Sequence, residues 1–269
     1  MGRVFVCLVA VGALLGPVGP AAADPADDRL VVDFARCEEH VGIEVVDADL
    51  VADEVPGEFG LGFFGPPESD AASLIVRTAR CDSTVIDGVD VGRVTTSQVG
   101  VITAVTDADD TDTDPQNGID NYTLFFVTDS REFDRALSGA GVKIDRDRRM
   151  SLAIDRDPAS ATATVTASVH RQPRYDLAGT QSDATVPFGT FVADWWSDRG
   201  NDRIRIRTTF PDITFGFGGE ETAAVTLTTG NGSRLARLAD TDQIVFDTSL
   251  RGSFPRATLV VEPAQIGDG

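Results

Sequence analysis

Lysine is almost missing from this chain: Lys143 is the only one in 269 residues, and every other basic residue is an arginine. An activated lysine nucleophile needs a desolvated site or a second cation beside it, so lysine chemistry has one candidate and no partner lysine. Basic residues are few altogether, 23 against 43 acidic ones, which leaves a net charge of −20. A surface of that sign repels nucleic acid and anionic lipid, and neither is expected as a partner. With two histidines and three cysteines, the chain holds no H-E-x-x-H zinc motif, no C-x-x-C pair and no G-x-S-x-G nucleophile elbow, so no familiar catalytic motif is on view. No apolar run reaches the roughly 20 residues that span a bilayer.

The longest apolar run has another meaning. Arg3 precedes an apolar stretch at residues 4–15, and three alanines at 21–23 stand before Asp24, the pattern of a cleaved secretory signal over residues 1–23. Export without membrane insertion is the expectation. Cys7 would leave with the signal. Cys37 and Cys81 then remain as an even pair in an oxidising compartment, which reads as one disulfide worth about 2–4 kcal/mol.

The remainder, 24–269, is read as a single β-rich domain: an irregular N-terminal segment over 24–70 and a barrel core over 71–262. Within the core, "ASLIVRTARC" and "RVTTSQVGVITAV" are β-branched runs, and Asp87-Gly88 between "STVI" and "VDVG" is the signal of a type I′ hairpin. "NYTLFFVTD" continues the pattern. "DSREFDRALSGAG" predicts a helix, with Asp129 and Glu132 spaced as a capping box and Phe133, Ala136, Leu137 and Ala140 on one face. Strand-like runs follow to "RATLVVE", with a second short helix at "SRLARLAD". The expected class is mainly β (α+β), a large antiparallel sheet closed into a barrel or cone with one or two short helices.

Four stretches are candidate sites. "TDADDTDTDPQNGIDNYT", residues 106–123, carries six aspartates and no basic residue. A helix-loop-helix calcium site needs glycine at position 6 and a carboxylate at 12. Counting from Asp110 gives Pro115 and Asn121, and counting from Asp112 gives Asn117 and Thr123. Neither register fits, so the residues favour a solvated strand connection; the competing reading is a weak, irregular Ca²⁺ site made by Asp110, Asp112, Asp114 and Asp120. "GLGFFG" matches a dinucleotide fingerprint in letters only, because Pro66-Pro67 forbid the helix that must follow; Phe63 and Phe64 read as a lid over a cavity or as core. In "RIRIRTTF", Arg203, Arg205 and Arg207 share one strand face and Ile204 and Ile206 the other. Turned outward, the arginines pair with the abundant carboxylates, which is the favoured direction; turned inward, they make an anion-binding wall. Trp195 and Trp196 must face opposite ways, and both enter as candidate ligand contacts. For acid–base chemistry only His40, His170 and carboxylates such as Glu220-Glu221 are on offer.

The order of the hairpin, "RVTTSQVGVITAV", "NYTLFFVTDSREFDRALSGAGV", the second half with "ADWW" and the closing "SRLARLADTDQIVFDTSLRGSFPRATLVV" resembles the acetoacetate decarboxylase-like superfamily over residues 55–262. The resemblance implies a cone-shaped antiparallel barrel around a small-molecule cavity. In that family a Schiff-base lysine works beside a second lysine, a pair this chain does not have, and Asp145 next to Lys143 would hold it charged. The resemblance therefore carries the fold and the cavity without the activity. The expected function is an exported barrel that binds a small molecule, without a cofactor. A hydrolase using His170 or carboxylates and an acidic calcium-binding surface protein stay open beside it.

Overall fold

A computed structural model describes residues 29–64, 70–104, 118–199, 202–218 and 225–264. The leader lies outside the described residues, as do Asp110, Asp112, Asp114 and Glu220-Glu221. Strands dominate. Seven of them, β1 (Leu30–Asp47), β2 (Ala71–Ile86), β3 (Val89–Ile102), β4 (Gly118–Thr128), β9 (Val186–Arg199), β10 (Asp202–Gly218) and β13 (Thr248–Ala264), form a ring of hydrogen bonds in the order β1-β2-β3-β4-β9-β10-β13 and back to β1. The ring is not all antiparallel, because β4 runs parallel to β9 and to the short β5 (Asp145–Arg146). A second sheet, unexpected from the sequence, has the order β12-β11-β8-β7-β6 and comprises β6 (Ser151–Asp157), β7 (Thr162–Val169), β8 (Tyr175–Ser182), β11 (Val225–Thr229) and β12 (Gln243–Val245).

Two cores follow from strand alternation. On the ring's outer face Leu74, Val76, Val99, Val101 and Trp196 pack against Leu152, Val165, Leu177 and Leu227 of the second sheet. The Tyr175 hydroxyl ties the two layers together, within 2.6 Å of Thr78 Oγ1 and 2.7 Å of Ser97 Oγ. Inside the ring, Ile43, Ile75, Val94, Trp195, Ile206, Phe210 and Leu259 form the other core. The two tryptophans divide between these cores, as neighbours on a strand must.

The segment expected to be irregular, 24–70, is corrected by β1, an 18-residue strand between β2 and β13. Its alternation is hard to read because the inward set changes phase. Leu30, Val32 and Phe34 face in before Arg36, and Cys37, Val41 and Ile43 face in after it; Arg36 takes φ 52° at the switch. Neighbouring strands shift at the same level, with register irregularities between Cys81 and Thr84 and between Phe210 and Ile213. Such irregularities bend a sheet and re-aim its side chains.

The hairpin at Asp87-Gly88 has φ 47° and 81°, both positive as a type I′ turn requires. Helix α1 (Arg131–Gly139) is capped by Ser130, whose Oγ accepts from the Phe133 amide, and not by Asp129. Asp129 instead accepts from the Thr95 amide. The helix sends Phe133 and Leu137 into the ring beside Phe34 and Phe126, closing one end. Helix α2 (Arg234–Leu238), capped by Ser233, seals the second sheet with Leu235 and Leu238.

Candidate functional site

With α1 plugging one end, the other half of the ring is hollow. A cavity of about 530 Å³ is walled by Val41, Ile43, Ile75, Ile102, Phe191, Ala193, Trp195, Phe210, Phe215 and Leu250. That is within the size range of small-molecule pockets, and its walls are apolar as such pockets usually are. Phe64, Phe188 and Phe217 line it too, yet they are 46%, 38% and 53% exposed, so they mark the mouth. Below the floor, Phe34, Phe133 and Phe254 line a void of only about 10 Å³.

The floor is an ion pair. Glu39 is 3% exposed and takes Nε and Nη2 of Arg77 on one carboxylate oxygen, each at 2.7 Å. Arg77 Nη1 donates to Gln98 Oε1 at 2.9 Å, and the guanidinium lies 5.8 Å from the centroid of the Phe210 ring. Backbone space fixes this arrangement: a Cβ on Gly252 would stand 2.6 Å from Glu39 Oε1. Removing one partner of a pair this buried strands the other charge, at a cost of about 3–5 kcal/mol.

Two wall groups add hydrogen-bonding capacity. Asn121 is fully buried; its Nδ2 donates to the Asp194 carbonyl at 3.2 Å, which fixes Oδ1 as the amide's other end, and Oδ1 has no partner among the described residues. The Thr103 hydroxyl likewise has none. Both residues line the cavity.

The residues singled out from sequence are distributed unevenly. Trp195 lines the cavity, and Phe63 and Phe64 stand at it. Trp196 does not: it packs outside the ring on Phe59 and donates from Nε1 to Asp120 at 2.9 Å. Arg203, Arg205 and Arg207 do not line it either, because Ile204 and Ile206 take the inward positions. Arg203 pairs with Glu58 and, at 2.9 Å, Asp198; Arg205 with Glu262 at 2.5 Å; Arg207 with Asp194 at 2.7 Å. Those pairings set aside an anion-binding arginine wall. Of the aspartates considered for calcium, Asp120 alone is described, and it accepts from the Trp196 indole at the cavity rim. Among the described residues no group of three or more His, Cys, Asp or Glu could hold a metal ion.

Glu39 and Arg77 were missed. The signal was present in the cysteines: Cys37 and Cys81 are bonded and face each other across β1 and β2. Antiparallel counting from that pair sets Glu39 opposite Ala79 and Val41 opposite Arg77. Residues 39 and 77 are therefore diagonal neighbours on the face that holds the disulfide, and diagonal pairs with long side chains touch.

The histidines sit apart from the cavity. His40 Nε2 is 2.8 Å from Ser249 Oγ, and Ser249 donates to Gln181 Oε1 at 3.0 Å. All three are at most 1% exposed, between the ring and Phe246, and burial drives the His40 pKa down to about 3. A serine held by a histidine but sealed from substrate cannot act as a nucleophile. His170 Nδ1 is 3.4 Å from Asp147 Oδ2, and Asp147 also accepts the amides of Arg149, His170 and Arg171. Burial alone would raise the Asp147 carboxyl; the amides outweigh it and hold it below its usual range. That is a loop clamp.

The architecture has solved counterparts. No protein-family model and no curated protein matches the sequence. In structure, the chain is similar to acetoacetate decarboxylase from Legionella pneumophila, with a TM-score of 0.51 and 12% identity over 88% of this chain and 86% of that one. A second acetoacetate decarboxylase structure gives a TM-score of 0.53 and 12% identity over 88% and 91%. The enduracididine biosynthesis enzyme MppR, solved with the condensation product of pyruvate and imidazole 4-carboxaldehyde, gives 0.50 and 11% over 88% of each chain. The fold is therefore acetoacetate decarboxylase-like. At these identities the likeness is one of fold alone.

Proposed function

We propose that the chain is an exported protein that holds a small molecule non-covalently inside the ring and does not perform Schiff-base decarboxylation. One observation carries the reading: a cavity large enough for a ligand has apolar walls, a floor closed by its own ion pair, and no amine in its lining. The only lysine, Lys143, is exposed and lies with Asp145 in a different depression, beside Arg234 and Arg237. A Schiff base needs a neutral amine within reach of a bound carbonyl, and Lys143 has neither the burial nor the position. Export is supported by the leader pattern at residues 1–23 and by the disulfide between Cys37 and Cys81.

The test uses borohydride, which reduces an imine to a permanent amine. The intact protein incubated with acetoacetate and borohydride should gain no mass and release no carbon dioxide above the blank. An adduct on Lys143, or decarboxylation that Lys143→Ala abolishes, would refute the reading. The exported form should begin near Asp24, which N-terminal sequencing checks.

A further inference from the structure

We propose that the ring cavity is selective for neutral, largely apolar molecules that carry one hydrogen-bond donor, such as an alcohol or a primary or secondary amide, and that it rejects carboxylates. The inference rests on the binding function just proposed and names the class of ligand.

Three observations fix that class. First, among the described residues the only cation lining the cavity is Arg77, and its charge is already taken by Glu39 at 2.7 Å. An incoming carboxylate would have to compete with Glu39 for Arg77 while standing beside it, so it would be desolvated without a counter-charge. A ligand cation meets the opposite difficulty, since Glu39 is neutralised and the guanidinium repels it. Second, Asn121 Oδ1 is a fully buried acceptor on the wall with no partner among the described residues, and its orientation is settled by the bond from Nδ2 to the Asp194 carbonyl. A buried acceptor left alone is costly, and the group that satisfies it is an O–H or N–H of the ligand. The Thr103 hydroxyl, also without a partner, can serve the same polar end from either role. Third, apart from Asp120 at the rim, which accepts from the Trp196 indole, the other described side chains of the lining are hydrocarbon or aromatic, out to Phe64, Phe188 and Phe217 at the mouth, so the body of the ligand is apolar.

The experiment is calorimetric titration of the whole mature protein with decanol, decanoate, decylammonium and decyl methyl ether, the two ions below their micelle concentrations and the two neutral compounds below their solubility limits. Decanol should bind about tenfold or more tighter than decanoate and decylammonium, because the charged ends lose solvation without a free partner. The ether, which lacks the donor, should bind several-fold more weakly than decanol. Decanoate or decylammonium binding as well as decanol would overturn the selectivity while leaving the cavity a binding site. Binding by none of the four would overturn the binding function itself. Glu39→Gln releases the charge of Arg77 and should shift the ratio of decanoate to decanol affinity by about tenfold toward decanoate. Should that variant fail to fold, the double variant Glu39→Gln with Arg77→Gln has no charge at the cavity floor and should still prefer decanol; a preference for decanoate there would count against the proposal.

Discussion

His40 makes the stability of this protein depend on pH with a sign and a size that follow from its surroundings. Ser249 donates its hydroxyl hydrogen to Gln181, so its oxygen accepts from His40 Nε2 and the neutral ring keeps Nδ1 bare. Nδ1 has no partner among the described residues. A proton there would create a buried cation and an unpaired donor together, and burial accordingly lowers the pKa from 6.5 to about 3. The folded state therefore binds this proton later than the unfolded state does. The stabilisation of the neutral form is complete above the unfolded value and is lost as pH falls from 6.5 toward 3. Each pH unit below 6.5 removes about 1.4 kcal/mol, so about 2 kcal/mol is gone near pH 5. Urea unfolding of the mature protein at several pH values between about 7.5 and 5 measures this directly. His40→Gln keeps a polar side chain against Ser249 and has no proton to bind, so its curves should converge across the same range. A wild-type midpoint that stays flat over that range, or a slope that His40→Gln leaves intact, would refute the reasoning.

Two further perturbations test the ring itself. Gly100 faces inward on β3, where a Cβ would stand 2.4 Å from the Tyr122 carbonyl oxygen and 2.8 Å from Trp195 Cζ3; Gly100→Ala should cost about 1–3 kcal/mol in chemical denaturation and shift the near-ultraviolet signal of Trp195. Reducing the disulfide between Cys37 and Cys81, or replacing both cysteines with serine, should cost about 2–4 kcal/mol, because the bond closes a separation of 44 residues in the unfolded chain.

What the sequence disclosed and what it concealed divide along a physical line. Local chemistry was legible in part: Asp87-Gly88 is the left-handed pair that its turn demands and both helices form where they were expected, but the cap of α1 is Ser130, one residue beyond the expected Asp129, whose carboxylate is taken by the Thr95 amide. Alternation put Arg203, Arg205 and Arg207 on one face and Ile204 and Ile206 on the other, but which face points into the ring is a tertiary fact that the strand alone does not carry. β1 was concealed because its phase switch at Arg36 breaks the alternation that identifies a strand. The second sheet was concealed for another reason: its strands alternate in the same way as those of the ring, and periodicity does not say which strands share a sheet. Glu39 and Arg77 stood among charges in an acidic chain, and only the cross-strand register set by the cysteines singles them out.

The hollow ring can be probed by its own fluorophore. Trp195 is in the cavity wall and Trp196 is outside, and the chain has no third tryptophan, so Trp196→Phe leaves a single reporter on the cavity. Titrating that variant with decanol should change the Trp195 emission saturably, and a further Ala193→Trp or Ala193→Phe substitution, which fills the space beside it, should abolish decanol binding in calorimetry. An emission unchanged by any decanol concentration up to its solubility limit, or binding that survives the filled cavity, would contradict the claim that the ring interior is the binding site.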